Sequence, residues 1–293
     1  MKMKRILIFS LLATLLVACG NNSVTTPTTV TSSTTSVDVQ PSKLDPVVTK
    51  QTKALNKDSL LRVDDGPLPY RLHVPSDYDG DTYHYPVFIF LHGAGERGND
   101  NTAQLKNAVQ YLFDDLESPL YQSIAFFPQC PSQSASSTGL SQWVDTPWAN
   151  GNYSIDNVPE SDDLKAVLEI LETLKEQYSI NDRRVYVMGL SMGGFGTWDL
   201  IMRHPEMFAG AVPVCGGGDP SQASKLVDIP IYTFHGTSDT AVPYTGTRDM
   251  ALAIKNAGGK MINYDELKGY GHNVWDYAAK KERLMSWLFS HSK

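Results

Sequence analysis

Arg184-Val-Tyr-Val-Met-Gly-Leu-Ser-Met-Gly-Gly-Phe-Gly-Thr-Trp198 is the stretch on which the reading of this chain turns. Its first five residues, rich in β-branched and aromatic side chains, predict a strand. Gly189-Leu-Ser-Met-Gly193 follows as a G-x-S-x-G turn, and residues 194–203 have the composition of a helix. Strand, tight glycine-flanked turn and helix are the context in which this pentapeptide becomes a nucleophile elbow. The turn forces a strained backbone on Ser191, and its neighbours must be small for strand and helix to pass closely. The expected result is a Ser191 hydroxyl raised at the C-terminal edge of a sheet, with the Met192 N–H aimed at the same space.

A serine hydroxyl is a poor nucleophile until a base takes its proton, and that base must be oriented by a third group. Downstream, Ile229-Pro-Ile-Tyr-Thr-Phe234 predicts a strand running into His235-Gly-Thr-Ser-Asp239. The strand-like run 260–267 leads into Gly269-Tyr-Gly-His272. Asp239 and His272 thus fall on turns just past strands, in the chain order Ser, acid, His. Asp219, behind the strand-like Ala211-Val-Pro-Val-Cys215, competes with Asp239 for the acid. His235 and His92 lie in His-Gly turns and read as structural, His204 as a helix C-terminal residue. Upstream, Tyr85-Pro-Val-Phe-Ile-Phe-Leu91 is apolar on both faces, as a buried parallel strand should be. It enters His92-Gly-Ala-Gly-Glu-Arg-Gly98, whose glycines let a backbone N–H approach a substrate oxygen. Ala94, with Gly93 as the alternative, is expected to join Met192 in an oxyanion hole. Glu96 and Arg97 are expected to form an ion pair that fixes this loop, with substrate contact as the alternative.

These motifs, with Pro205-Glu-Met-Phe-Ala209 and Cys215-Gly-Gly-Gly-Asp219, resemble those of secreted bacterial α/β-hydrolase esterases. That group takes in feruloyl esterase-like and polyhydroxyalkanoate depolymerase-like enzymes and shades into prolyl oligopeptidase-type catalytic domains. The resemblance spans most of residues 60–293. It implies the α/β-hydrolase fold, with Ser191 as nucleophile, His272 as base, Asp239 as its orienter and backbone donors at 192 and near 94. It also implies a sheet order with two strands between Cys130 and Cys215, roughly 14 Å at about 4.8 Å per strand. A disulfide requires Cα atoms within about 7 Å, so two separate thiols are expected.

The ends and the composition add bounds. Met1-Lys-Met-Lys-Arg5 is a basic n-region and residues 6–17 an apolar h-region, too short for a permanent membrane span. Leu16-Val-Ala-Cys19 resembles a bacterial lipobox, so residues 1–18 are expected to be a lipoprotein signal peptide and Cys19 the lipidated first residue. Residues 20–50 are Thr/Ser-rich without an apolar face and read, with Cys19, as a disordered tether. Residues 51–293 are left as one catalytic domain. Loss of Lys2, Lys4 and Arg5 would take the formal charge from −7 to −10, which argues against nucleic acid as a partner. The expected location is extracytoplasmic, attached to a membrane through the lipid on Cys19.

After an opening hairpin-like pair (60–63 and 70–74), strands and helices alternate. The helical stripe at 162–178 and the later helices over 242–257 and 277–289 indicate an α/β fold, a mostly parallel sheet wrapped on both faces. Residues 129–158 carry few signs of regular structure, and long irregular loops in compact domains are usually functional. Trp143 and Trp148 in that loop, and Trp275 beyond His272, are candidate substrate contacts, with inward packing as the alternative. The expected activity is a serine esterase forming an acyl-enzyme, acting on carbohydrate-linked feruloyl or acetyl esters or similar esters. A serine peptidase of the prolyl oligopeptidase type is the alternative. No metal or cofactor is implied.

Overall fold

The computed structural model describes residues 43–132 and 142–293. The expected signal peptide, Cys19 and most of the tether lie outside the described residues. Eight strands form one sheet: β1 (Leu61–Val63), β2 (Tyr70–His73), β3 (Tyr85–Leu91), β4 (Ile124–Pro128), β5 (Ile180–Leu190), β6 (Gly210–Val214), β7 (Ile231–Gly236) and β8 (Ile262–Leu267). Their order is β1-β2-β4-β3-β5-β6-β7-β8. β2 pairs antiparallel with β1 and β4, and every pairing from β4 across to β8 is parallel. The expected hairpin-like start and α/β-hydrolase sheet are both present.

Among the described residues six α-helices accompany the sheet: α1 (Val109–Leu112), α2 (Asp162–Gln177), α3 (Met192–Arg203), α4 (Thr245–Asn256), α5 (Trp275–Ala279) and α6 (Leu284–Phe289). The alternation of side chains along a strand decides which helix packs where. Val87, Ile89 and Leu91 of β3 join a core with Leu164 and Val167 of α2, Trp198 of α3 and Ile254 of α4. Phe88 and Phe90 point the other way, toward Val109 of α1, Ala278 of α5 and Leu288 of α6. All seven residues of β3 are buried, as two covered faces require. Helix α2 begins where Ser161 Oγ accepts the Leu164 N–H at 3.1 Å, with Asp162 and Asp163 in the dipole-favoured first turn.

Register brings the strand exits to one edge. Leu91 of β3 is level with Gly189 of β5, Leu190 of β5 with Val214 of β6, and Gly236 of β7 with Leu267 of β8. The loops after β3, β5, β7 and β8 therefore leave the sheet on the same side. Cys130, just past β4, and Cys215, just past β6, have β3 and β5 between their strands. Both are buried thiols, and Cys130 Sγ donates to Asp163 Oδ2 at 3.2 Å.

Two expectations are amended. The helix over 277–289 is two helices, α5 and α6, because Arg283 takes a left-handed conformation (φ 61°) that interrupts the turn between them. Residues 43–50, assigned above to the tether, lie against the domain: Leu44 bridges Tyr83, and Lys50 pairs with Glu117 at 3.0 Å. The long loop is irregular as expected, with a short 3₁₀ turn at Trp148–Asn150 and a turn closed by the Asn157 N–H on the Ser154 carbonyl, and it is tied down. Tyr153 Oη donates to Asp199 Oδ2 (2.7 Å), the Ile155 N–H to Asp219 Oδ2 (2.9 Å), and Arg203 Nη2 to the Val158 carbonyl (2.5 Å). Gly151 packs its backbone directly on Gly217 and Gly246.

Candidate active site

Ser191 sits between β5 and α3 with φ 54° and ψ −115°, a conformation costly for a non-glycine residue and held by its surroundings. Its N–H donates to the Val214 carbonyl at 2.9 Å, and its carbonyl accepts the first α3 bond from Phe195. The glycines around it are steric necessities. A Cβ on Gly193 would overlap the Leu91 carbonyl, one on Gly194 the Val214 carbonyl, and one on Gly189 the Gly193 carbonyl. The N-terminus of α3 is thereby wedged between the exits of β3 and β6. Met192, the first residue of α3, has an N–H with no acceptor inside the helix.

The structure brings Ser191, His272 and Asp239 together. Ser191 Oγ lies 2.8 Å from His272 Nε2, and His272 Nδ1 lies 2.6 Å from Asp239 Oδ2. With Nδ1–H donating to the carboxylate, Nε2 is left to accept the serine proton. The His272 side chain is a quarter exposed, while that of Asp239 is fully buried. Asp239 Oδ1 accepts the Ala241 and Val242 N–H groups at 2.8 and 2.9 Å. Burial alone pushes the Asp239 carboxyl up. Hydrogen bonds from His235, His272 and the Val242 amide outweigh it and hold the group well below the usual carboxylate range. Asp219, the competing acid, is used elsewhere: it accepts from Ser221 N and Ile155 N.

One partner was missed. His235 does not simply bind the backbone: its Nε2 reaches Asp239 Oδ2 at 3.0 Å as well as the Val242 carbonyl at 3.1 Å. The available signal was its spacing of four residues from Asp239 within one tight turn. His92 is structural as expected, donating from Nδ1 to the Gly93 carbonyl and accepting the Cys130 N–H on Nε2. Burial lowers its pKa to about 4, so it is neutral. His204 ends α3 and meets Glu160 at 2.8 Å.

A cavity of about 310 Å³ opens over Ser191 and His272, and Ala94, Glu96, Trp148 and Trp275 line it. Glu96 holds the loop in a different way from the expected ion pair. Its carboxyl accepts from Asn107 Nδ2 at 2.8 Å, while Arg97 donates to the Ala94 carbonyl and lies over the Trp148 ring. Burial raises the Glu96 pKa, with hydrogen bonding to the carboxylate opposing. Of the three tryptophans expected at the pocket, Trp148 and Trp275 line it, and Trp275 meets the His272 ring edge-on at 5.5 Å. Trp143 does not. It is fully buried, its indole N–H donating to the His92 carbonyl at 2.9 Å and its Cβ against Gly196. A large apolar ring beside a glycine-lined helix gains more from the core than from solvent. No group of three His, Cys, Asp or Glu side chains suited to a metal ion occurs among the described residues.

The model of the Esterase family, described as "Putative esterase", matches residues 65–256. The bifunctional acetylxylan esterase/xylanase XynS20E of Neocallimastix patriciarum is 30% identical over 135 residues, 43% of this chain and 20% of that protein. The carboxylesterase SOBER1 of Arabidopsis thaliana is 24% identical over 214 residues, 68% of this chain and 88% of that protein. The crystal structure of a thermostable esterase superposes with a TM-score of 0.67 at 34% identity, covering 81% of this chain and 64% of that one. The chain thus spans about a fifth of XynS20E and just under two thirds of the thermostable esterase.

Proposed function

This chain belongs to the esterase family, and from that premise we propose that it is a carboxylic-ester hydrolase with Ser191 as nucleophile, His272 as general base and Asp239 as its orienter. The observation that carries the proposal is the unbroken series Ser191 Oγ, His272, Asp239 at 2.8 and 2.6 Å. Ser191 Oγ adds to the ester carbonyl carbon while His272 Nε2 takes the hydroxyl proton. Collapse of the tetrahedral intermediate breaks the bond to the alcohol oxygen, and His272 returns the proton to the leaving alcohol. Water, losing a proton to His272, then adds to the acyl-enzyme, and the second collapse releases the acid and restores Ser191.

The Met192 and Ala94 N–H groups are assigned to the developing oxyanion. Ala94 is the assigned donor with Gly93 as the alternative, and both line the cavity over Ser191. Carbohydrate-linked acyl esters, feruloyl or acetyl, are the proposed substrates. Supporting this, the cavity is at the small end for ligand sites and is flanked by two indoles, suited to a short acyl chain or one aromatic ring. Export and lipidation at Cys19 belong to the same proposal, supported by the Leu16-Val-Ala-Cys19 sequence.

The test is hydrolysis by the full chain beside its Ser191→Ala variant, on 4-nitrophenyl acetate, methyl ferulate, acetylated xylan and a proline-containing peptide anilide. Ester turnover that falls by about 10³-fold or more in the variant is expected. Turnover indifferent to Ser191 would overturn the mechanism, and cleavage of the anilide with idle esters would move the chain to the peptidases.

A further inference from the structure

We propose that His235 is an imidazolium, protonated on both ring nitrogens, and that it acts as a positioning residue that neutralises Asp239 behind His272. Its functional consequence rests on the reading of Ser191, His272 and Asp239 as a catalytic unit; the assignment of its protons does not.

The protons can be counted. His235 is completely buried, at the C-terminal end of β7. Its Nε2 faces two acceptors, Asp239 Oδ2 at 3.0 Å and the Val242 carbonyl at 3.1 Å, so Nε2 must carry a proton. Its Nδ1 lies 2.7 Å from Thr247 Oγ1 in the first turn of α4. Thr247 has one hydroxyl proton, and its oxygen is also 2.6 Å from the Gly216 carbonyl, which only accepts. The threonine proton therefore lies toward Gly216, since two oxygens at that separation without a proton between them would repel. The remaining contact, Nδ1 to Thr247 Oγ1, is then made by a proton on Nδ1. Both nitrogens donate, and the ring is cationic.

The neighbourhood accepts that charge. Asp239 is the one carboxylate hydrogen-bonded to His235 among the described residues, and its side chain is fully buried. The nearby Cys215 thiol, on the loop after β6, is pushed up by burial and stays neutral. His272 reaches the same Asp239 oxygen from the loop after β8, and the next ionisable group at the cavity is Glu96, on the loop after β3. Buried charges persist where they are paired and hydrogen-bonded, and here both conditions hold. The relay from Gly216 through Thr247, His235 and Asp239 to His272 thus anchors the orienting carboxylate to the loop after β6 and to α4.

Neutralising Asp239 changes what His272 experiences. A lone carboxylate beside the base would favour the protonated ring and disable it as pH falls. A carboxylate already paired with a cation favours it less, so the base stays available in more acidic solution. Taking away the cation should therefore raise the pH at which activity is half lost on the acid side. For a unit charge one carboxylate away, partly screened, a shift of about one pH unit is expected.

The experiment uses the full chain with ¹⁵N-labelled histidine, and His235→Gln identifies the His235 signals. Two ring N–H correlations from one imidazole at pH 7 are expected, and a single correlation would overturn the proposal. In parallel, the acid limb of kcat/KM for 4-nitrophenyl acetate is compared in wild type, His235→Gln and Thr247→Val. Gln keeps a donor toward Asp239 without the charge, and Val removes the acceptor that holds the second proton. Both should move the limb upward by a similar amount. If Thr247→Val leaves the limb in place, His235 is a neutral structural ring and the positioning role falls, even where His235→Gln is too unstable to study. If Ser191→Ala retains full turnover while His235 shows two N–H correlations, the catalytic reading has failed and the charge assignment has not.

Discussion

Gly193 and Leu91 are in backbone contact: the missing side chain of Gly193 points straight at the Leu91 carbonyl, with the His92 carbonyl 2.8 Å from where a Cβ would sit. The end of β3 and the start of α3 therefore share a space that only hydrogen can fill. Gly193→Ala should destabilise the fold by about 3 kcal/mol, because the obstruction is main chain that no rotamer can relieve. Gly95→Ala, two residues along the neighbouring loop, meets nothing within 4 Å and should change stability by less than about 0.5 kcal/mol. Urea unfolding of the two variants checks the contrast, and equal effects would mean that β3 and α3 can separate without cost.

Trp148 and Trp143 should part company in the same way. Trp148→Ala opens the wall of the cavity and is expected to raise KM for methyl ferulate about tenfold while sparing 4-nitrophenyl acetate, a loss of roughly 1.4 kcal/mol of binding. Trp143→Ala removes a fully buried ring and should cost about 3–5 kcal/mol of stability, with both esters affected alike. Steady-state kinetics on the two substrates, beside thermal melts, separates pocket from core.

Asp239 sets part of the acid stability of the fold. Its folded pKa is depressed, so its contribution is complete above the unfolded carboxylate value of about 3.9 and is lost as pH falls through the lower folded value. Asp239→Asn abolishes that titration. Between about pH 4 and pH 2 the wild type should therefore lose stability more steeply than the variant. Urea midpoints at fixed ionic strength across that range provide the measurement, and parallel slopes would mean that the carboxylate is no better solvated in the fold than in the unfolded chain.

Most of this arrangement is legible without coordinates where a motif carries its own geometry. The G-x-S-x-G turn can place Ser191 in only one way, and the unbroken apolar run of β3 announces a strand covered on both faces. Asp239 and His272 follow from chain order once that strand is accepted. Contacts between segments remote in sequence are harder. Nothing local in the 129–158 loop distinguishes Trp143, which enters the core against Gly196, from Trp148, which stays at the pocket. His235 was read as a turn residue because its decisive partner, Thr247, comes from a helix that begins nine residues past the strand end. The break between α5 and α6 depends on one left-handed arginine, a conformation that composition does not announce.

The fastening of the wall around the pocket has a consequence for how the molecule comes apart. Trp143 is bonded to the loop after β3, Tyr153 and Val158 to α3, Ile155 to the turn after β6, and Gly151 rests on two other backbones. The described part of this segment, residues 142–158, opens only by breaking its bonds to the loop after β3, to α3 and to the turn after β6 together. The Ile155 amide proton, bonded to Asp219, should then exchange with solvent at the pace of the central strands. A molecule built this way admits substrate through a fixed doorway and is worn out only by unfolding as a whole.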